Sequence, residues 1–235
     1  MTFLLLDTLP PPGKQPGAVW AIGSLAVLSF LGFDAISLAR NGARVTGVDF
    51  SPVALAKART LAARCGVDVD FVEADVTALP DSLAGRFDLA YATMGILGWI
   101  ADVDAWMGSV ASTLRPGGRL VLVDGHPLTR MFESIDPLVV DFPYANDGPH
   151  RYESPSSYSG AEVTTVNVQY GHSLGEIVTA ALDAGLRVLG LAEHMDSPVH
   201  TGGRDTREED GRYRLRLSGF PLPLLYTLIA GRPSP

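Results

Sequence analysis

Apolar and polar positions along this chain alternate in a repeating order of strand-like and helix-like segments. Mostly apolar segments predict buried strands at 25–30, 43–50, 67–76, 85–95 and 119–127. Apolar residues spaced three to four apart predict helices at 34–42, 52–66 and 102–114. Ser51 and Pro52 are typical of a helix start. The alternation predicts an α/β fold with a mostly parallel sheet, helices on both faces and right-handed crossovers.

The periodicity is lost from 127 to 160, where Pro, Asp, Ser and aromatic residues are frequent. We interpret this segment as a partly ordered lid or insertion on the substrate side. Beyond it, the pattern predicts strands at 161–170, 186–194 and 220–232, a capped helix at 173–185 and a solvated loop at 202–212. The chain shows neither an internal repeat nor a linker, which favours a single domain over 1–235.

Composition narrows the classes of function. The chain has 235 residues, 46% hydrophobic and 19% charged, as expected of a globular α/β enzyme. Its net charge of −8 provides no broad positive field for nucleic acid. The single cysteine, Cys65, excludes an internal disulfide and a cysteine-built zinc site, and favours a reducing cytoplasm. The five histidines show no spacing of a paired metal site, so no metal is predicted.

The longest apolar run, 18–33, raises the question of a membrane segment. It ends at Asp34, short of the roughly 20 apolar residues that a spanning helix needs. A central parallel strand covered on both faces explains such a run, so we expect neither a membrane span nor a signal peptide. The apolar N-terminal residues MTFLLL could dock on their own sheet or pair with another subunit, which leaves a homo-oligomer open.

Candidate ligand-binding residues follow the predicted strands. In open parallel sheets, ligands bind beyond the carboxyl ends of the strands, near the switch in strand order. Asp49 ends the second strand, where an acid commonly accepts hydrogen bonds from a ribose diol. Asp75 ends the third strand and could receive the exocyclic amine of adenine, with Val76 covering the ring.

Several segments together carry a family resemblance. GARVTGVDFSPVALAKAR, FVEADV, GRFDLAYATMGIL, LRPGGRLVLVDGHP and YGHSLGEIVTAALDAGL resemble the class I S-adenosylmethionine-dependent methyltransferases, particularly a bacterial small-molecule branch. The resemblance implies a Rossmann-like, seven-stranded sheet with an antiparallel last strand. It also implies S-adenosylmethionine as methyl donor, S-adenosylhomocysteine as product and a small-molecule acceptor. The implied cofactor-binding residues are Gly32, Asp49, Phe50, Asp75, Val76, Thr93, Met94 and Gly95.

Methyl transfer requires little side-chain chemistry, because the sulfonium already activates the methyl group. Catalysis consists mainly of holding the nucleophile in line with the departing sulfur, and a base helps if the acceptor is a hydroxyl or a protonated amine. His126, in DGHP at a strand end, is the best-placed candidate base. The alternative is that His126 bonds to backbone and orders the loop that follows.

The segment SLAVLSFLGFD (24–34) departs from the family's first motif, which is an acid followed by several glycines. It keeps only Gly32 and has Ala26 at the acidic position, while Leu28 and Phe30 fill space that the cofactor needs. The region ahead of the first strand is also shorter than the resemblance implies. A second function class therefore stays open: a repurposed fold without methyl transfer, acting as a cyclase or isomerase, or as a non-catalytic partner.

Overall fold

A seven-stranded sheet forms the centre of the protein, of which a computed structural model describes residues 23–27, 32–154, 164–201 and 204–235. Its strands are β1 (Gly23–Val27), β2 (Arg44–Asp49), β3 (Val69–Glu73), β4 (Phe87–Thr93), β5 (Leu114–Gly125), β10 (Arg187–His194) and β14 (Leu225–Gly231). They lie in the order β10-β14-β5-β4-β1-β2-β3. β14 runs antiparallel to both of its neighbours, whereas β1 to β5 pair in parallel. The predicted sheet with an antiparallel last strand is confirmed.

Helices cover both faces of this sheet: α1 (Phe33–Arg40), α2 (Pro52–Arg64), α3 (Val103–Thr113), the short α4 (Pro127–Arg130) and α5 (Leu174–Asp183). On one face, Leu55 of α2 packs with Phe71 and Val121 of the sheet. On the other, Trp106 of α3 and Ile177 of α5 are buried in a separate core cluster. Each apolar helix face therefore buries against the sheet, which accounts for the spacing seen in the sequence.

Local signals set the helix starts. Ser51 Oγ accepts a hydrogen bond from the Ala54 amide at 3.2 Å, and Pro52 supplies a φ suited to the first turn. α5 begins with a capping box, in which Ser173 and Glu176 each accept the other's backbone N–H. Both helices consequently begin where the sequence predicts.

Short strands form the smaller sheets: β6 (Phe132–Ile135) with β7 (Leu138–Val140), β8 (His150–Ser154) with β9 (Thr165–Gln169), and β11 (Thr206–Arg207) with β12 (Tyr213–Leu217) and β13 (Phe220–Leu222). The segment 127–160 thus contains α4, one hairpin and the first strand of another, while 155–163 lie outside the described residues. The loop predicted at 202–212 is wrong in part, because β11 pairs with β12.

Two further boundaries differ from the sequence prediction. β1 spans Gly23–Val27, and the remainder of the predicted strand, 28–30, falls outside the described residues. β5 begins at Leu114, ahead of the strand predicted at 119–127, and pairs with β4 through a register shift. No helix within the described residues is long and apolar enough to cross a membrane.

Candidate functional site

The carboxyl ends of β1, β2 and β4 meet at the switch in strand order, which lies between β1 and β4. Val27 of β1 pairs with Val48 on one side and with Ala92 on the other. Asp49 and Thr93 are therefore the next residues on either side, at a Cα separation of roughly 10 Å for two strand spacings. The register brings these two predicted site residues to one edge of the sheet.

Gly32 is the described residue that leads from β1 into α1. It is buried, has a φ of 77°, and its carbonyl accepts the first helical hydrogen bond, from the Ile36 amide at 2.8 Å. A Cβ at this position would lie 2.9 Å from the Ala58 Cβ and 3.2 Å from Cζ of Phe71. Only glycine fits this turn without strain. Leu28 and Phe30, on which the departure from the family motif rests, lie outside the described residues.

Asp49 is buried at the end of β2, with 3% of its surface exposed. Its Oδ1 accepts a hydrogen bond from the Ser51 amide at 2.9 Å, which fixes the carboxylate ahead of α2. Its carbonyl accepts from the Ala74 amide at 3.1 Å and so ties the β2 end to the β3 end. Phe50, the neighbouring residue, is 69% exposed and offers an aromatic ring at the same edge.

Asp75 and Val76 have different environments. Asp75 is exposed, and its Oδ1 accepts hydrogen bonds from the Thr77 amide at 2.8 Å and the Thr77 hydroxyl at 2.7 Å. The backbone bond first, and then the hydroxyl bond, hold the pKa of Asp75 below its usual value. Val76 is 4% exposed and packs in the core on the α3 and α5 side. Asp75 thus presents a carboxylate to solvent, while the Val76 side chain belongs mainly to the core.

The turn after β4 holds Thr93, Met94 and Gly95, and the last two have φ values of 20° and 86°. The buried carboxylate of Asp124, in β5, organises this turn. It accepts hydrogen bonds from the amides of Gly95 at 2.5 Å, Leu97 at 3.0 Å and Gly125 at 2.6 Å. Three amide donors stabilise a buried carboxylate, so Asp124 has a structural role that the sequence did not reveal.

Asp34, in the first turn of α1, accepts a hydrogen bond from the Thr93 hydroxyl. This bond joins the segment after β1 to the end of β4 and so crosses the switch in strand order. Burial first, and then the nearby Asp34 carboxylate, raise the pKa of Tyr91 beneath it. In the sequence, Asp34 is marked only as an acid two residues beyond Gly32, in the first turn of a predicted helix.

His126 is buried and caps the short helix α4. Its Nδ1 accepts a hydrogen bond from the Leu128 amide at 3.1 Å, and its Nε2 lies 2.7 Å from Oε1 of Glu193. Because Nδ1 is an acceptor, the proton belongs on Nε2, which donates to Glu193. Burial lowers the pKa of His126, and Glu193 offsets part of that effect. These contacts are those of the loop-ordering alternative, and a role as base stays a prediction.

Among the described residues, the other titratable side chains are not grouped as a metal centre. Within the described ranges, no group of three or more His, Cys, Asp and Glu residues is placed to hold a metal ion. His172 is buried, and its Nε2 lies 2.7 Å from the Ile100 carbonyl, which fixes the segment before α5. The chemistry of the site therefore rests on carboxylates, backbone groups and aromatic rings at the sheet edge.

Comparison with known proteins agrees with this fold. Residues 31–118 match the model of a methyltransferase domain family. A demethylmenaquinone methyltransferase of Thermus thermophilus is 34% identical over 132 residues, which make up 52% of this chain and 59% of that protein. The chain thus spans about three-fifths of the length of this curated relative.

Solved structures show how widely the fold is used. An S-adenosylmethionine-dependent methyltransferase from Mesorhizobium loti superposes with a TM-score of 0.68 at 21% identity, covering 98% of this chain and 97% of that one. The cyclase SpnF superposes with a TM-score of 0.58 at 17% identity, covering 92% and 76%. In its family match over 31–118, its curated relative and its sheet order, the chain is similar to the class I S-adenosylmethionine-dependent methyltransferases, and it shares their fold.

Proposed function

We propose that this protein transfers a methyl group from S-adenosylmethionine to a small-molecule acceptor and releases S-adenosylhomocysteine. The observation that carries the proposal is the buried carboxylate of Asp49 at the β2 end, with the left-handed Gly32 turn after the neighbouring strand β1. A carboxylate there suits a ribose diol. Phe50 and Asp75 extend the same edge and suit the adenine ring and its amine.

The described residues fit the nucleoside half of this cofactor. Gly32 leaves the turn after β1 without a side chain, and the Asp49 carboxylate is oriented by the hydrogen bond that it accepts from the Ser51 amide. The turn at Thr93, Met94 and Gly95 faces the same switch point, where the methionine half would lie. Asp34, bonded to Thr93, adds a carboxylate for the cofactor's amino group, in a place where Ala26 cannot supply one.

When bound, the cofactor supplies a methyl group on a sulfonium sulfur; the acceptor's lone pair forms the new bond, and the electron pair of the broken C–S bond stays on sulfur. The protein's part is to orient the acceptor and exclude water. Trp99, 54% exposed after β4, and Tyr144, 37% exposed in 127–160, provide ring surfaces at the same edge. We infer an apolar or ring-containing acceptor, with 127–160 as its lid.

His126 is proposed as the base only for an acceptor that must lose a proton. In that role Nδ1 would exchange the Leu128 amide for the acceptor's proton, while Nε2 passes its own proton to the Glu193 carboxylate, which is 47% exposed. The cytoplasmic location and a homo-oligomeric state stay predictions from the sequence.

A cyclase or isomerase activity is the second candidate, since the fold of SpnF is shared. The two candidates differ in whether a cofactor methyl is consumed. Release of S-adenosylhomocysteine in step with acceptor loss supports methyl transfer. An acceptor isomerised with no S-adenosylhomocysteine formed supports the alternative.

Calorimetry with S-adenosylhomocysteine tests the binding step. Asp49→Asn keeps the acceptor for the Ser51 amide but removes the charge, and should weaken binding by about 1.5–3 kcal/mol, which is at least tenfold. Asp70→Asn, an exposed acid on β3, is the matched control and should change affinity less than twofold. Equal affinity of wild type and Asp49→Asn would remove Asp49 from the site.

A further inference from the structure

The guanidinium of Arg130, in α4 beyond the β5 end, is half-buried at the acceptor side of the sheet. Its Nη2 donates to Oε1 of Gln169 at 3.0 Å, at the end of β9. Within the described residues, no carboxylate forms an ion pair with Arg130. Arginine stays charged in proteins, and Arg130 has only a neutral partner. An anion would therefore stabilise this partly desolvated guanidinium.

The surroundings of Arg130 are shaped to hold it there. The guanidinium lies against Gly98, where a Cβ would be 2.9 Å from Nη1 and would overlap Nη2. The Gly98 carbonyl accepts from the Tyr170 amide at 3.0 Å, which ties the turn after β4 to the β8–β9 hairpin. Three segments therefore converge on this one side chain, and a glycine makes the room that it occupies.

Two phenols lie within the electrostatic range of Arg130. Tyr152 pairs with Asn167, two residues from Gln169, so Tyr152 and Gln169 share one face of the hairpin. Burial raises the pKa of Tyr152, and the Arg130 charge offsets part of that rise. Tyr226 is 1% exposed, and its hydroxyl has no hydrogen-bond partner among the described residues. Its pKa is raised by burial and by Asp124, with Arg130 again opposing.

The acids Asp124 of β5 and Glu193 of β10 have partners other than Arg130. Asp124 lies opposite Tyr226 in the β5–β14 pairing, and its carboxylate already accepts three backbone amides. Glu193 is bonded to His126. The carboxylates of Asp124 and Glu193 are thus bonded to other partners. The N–H donors of Arg130 that do not bond Gln169 are therefore available to a ligand.

We propose that Arg130, held by Gln169 and Gly98, binds a carboxylate carried by the methyl acceptor. This inference rests on the proposed function for the identity of the ligand as acceptor. The planar guanidinium can donate two parallel hydrogen bonds to the two oxygens of a carboxylate. It therefore suits a carboxylate better than the point charge of a lysine would. The exposed ring of Trp99, next to Gly98, suits an aromatic or planar acid.

Calorimetric titration of the full chain with benzoate, and with benzamide as its neutral isostere, tests the site. Benzoate should bind wild type at least tenfold more tightly than benzamide does. Arg130→Met should weaken benzoate about 10- to 100-fold, the range expected for hydrogen bonds to a charged group. Arg130→Lys keeps the charge without the fork and should recover only part of that loss. Arg151→Met, at an exposed arginine of the same hairpin, removes the same charge and should leave benzoate binding within twofold.

Gly98→Ala provides an independent variant, because it displaces the guanidinium without removing its charge, and it should weaken benzoate as well. S-adenosylhomocysteine titrated into the same variants separates this inference from the proposed function. Unchanged S-adenosylhomocysteine affinity with lost benzoate binding supports the carboxylate site. Failure of S-adenosylhomocysteine to bind wild type, with benzoate still dependent on Arg130, would refute the proposed function alone.

Three results would overturn the carboxylate site: no benzoate binding by wild type, equal benzoate affinity in Arg130→Met, or equal affinity for benzamide. Phenyl phosphate distinguishes the anion. Tight binding of phenyl phosphate with no binding of benzoate would replace the carboxylate assignment with a phosphate one.

Discussion

Gly32 offers a quantitative test of how the site's first turn is built. Its φ of 77° is a conformation that costs an alanine about 1–2 kcal/mol. The added Cβ would also press on Ala58 at 2.9 Å and Phe71 at 3.2 Å, within a buried layer. Overpacking of this kind costs about 1–3 kcal/mol. We therefore expect Gly32→Ala to lower the free energy of unfolding by about 2–5 kcal/mol.

Gly185, just beyond α5, is the matched control. Its φ is 76°, nearly that of Gly32, but nothing lies within 4 Å of an added Cβ. Gly185→Ala should therefore show the backbone cost alone, about 1–2 kcal/mol. The difference between the two variants isolates the steric contact of the turn with α2 and β3.

Urea unfolding of wild type and both variants measures these free energies, provided that the slopes with denaturant agree. Thermal unfolding gives a second readout, at about 2–4 °C per kcal/mol for a chain of this size. Equal losses in the two variants, or a smaller loss in Gly32→Ala, would refute the close packing of this turn.

Three further predictions concern the surrounding framework. Asp124→Asn should destabilise the protein by about 1–3 kcal/mol in urea, because an amide cannot accept from all three backbone N–H groups; no loss would show that the turn after β4 does not depend on this carboxylate. Burial lowers the pKa of His126 in the folded protein below the ordinary value of 6.5. As the pH drops below 6.5, the unfolded chain therefore binds more protons than the folded protein does, and the free energy of unfolding falls. Unfolding at pH 7.5 and 5.5 should show this fall, smaller in His126→Gln, and an identical slope in both proteins would exclude His126 as its source. Ser173→Ala should lower the free energy of unfolding by about 0.5–2 kcal/mol, because the α5 capping box is lost. Ser112→Ala, whose hydroxyl bonds to the Ser109 carbonyl within α3, should lower it less. A larger loss in Ser112→Ala would show that the capping box does not stabilise the protein.

The central sheet was predictable because its signals are local. Ser51, Pro52 and Ser173 mark helix starts, and the apolar periods of the strands are read within a few residues. The three-stranded sheet near the C terminus does not follow from the sequence prediction, although YRLRL (213–217) alternates as a strand does. The dense charges nearby favour a solvated loop instead. In the structure Arg214 pairs with Asp196, Glu208 and Asp210, so those charges neutralise one another across the strands.

Features of the site that depend on distant residues were not predictable. Asp34 bonds to Thr93 across 59 positions, and His126 meets Glu193 across 67. Neither pair has a sequence pattern, since each forms only when separate strands are aligned in the sheet. Asp49 was predictable because its place at a strand end follows from the local pattern alone. The position of Arg130 against Gly98 is likewise a contact between distant parts of the chain, which only the folded structure reveals.

The central claim is that S-adenosylmethionine binds at the carboxyl edge of the sheet, with its ribose on Asp49. A crystal structure of the full chain grown with S-adenosylhomocysteine tests this most directly. We expect both ribose hydroxyls within hydrogen-bond distance of the Asp49 carboxylate and the adenine beside Phe50 and Asp75. A nucleoside bound elsewhere, or an edge closed to it with Asp49 turned to other partners, would show that Asp49 does not hold the cofactor.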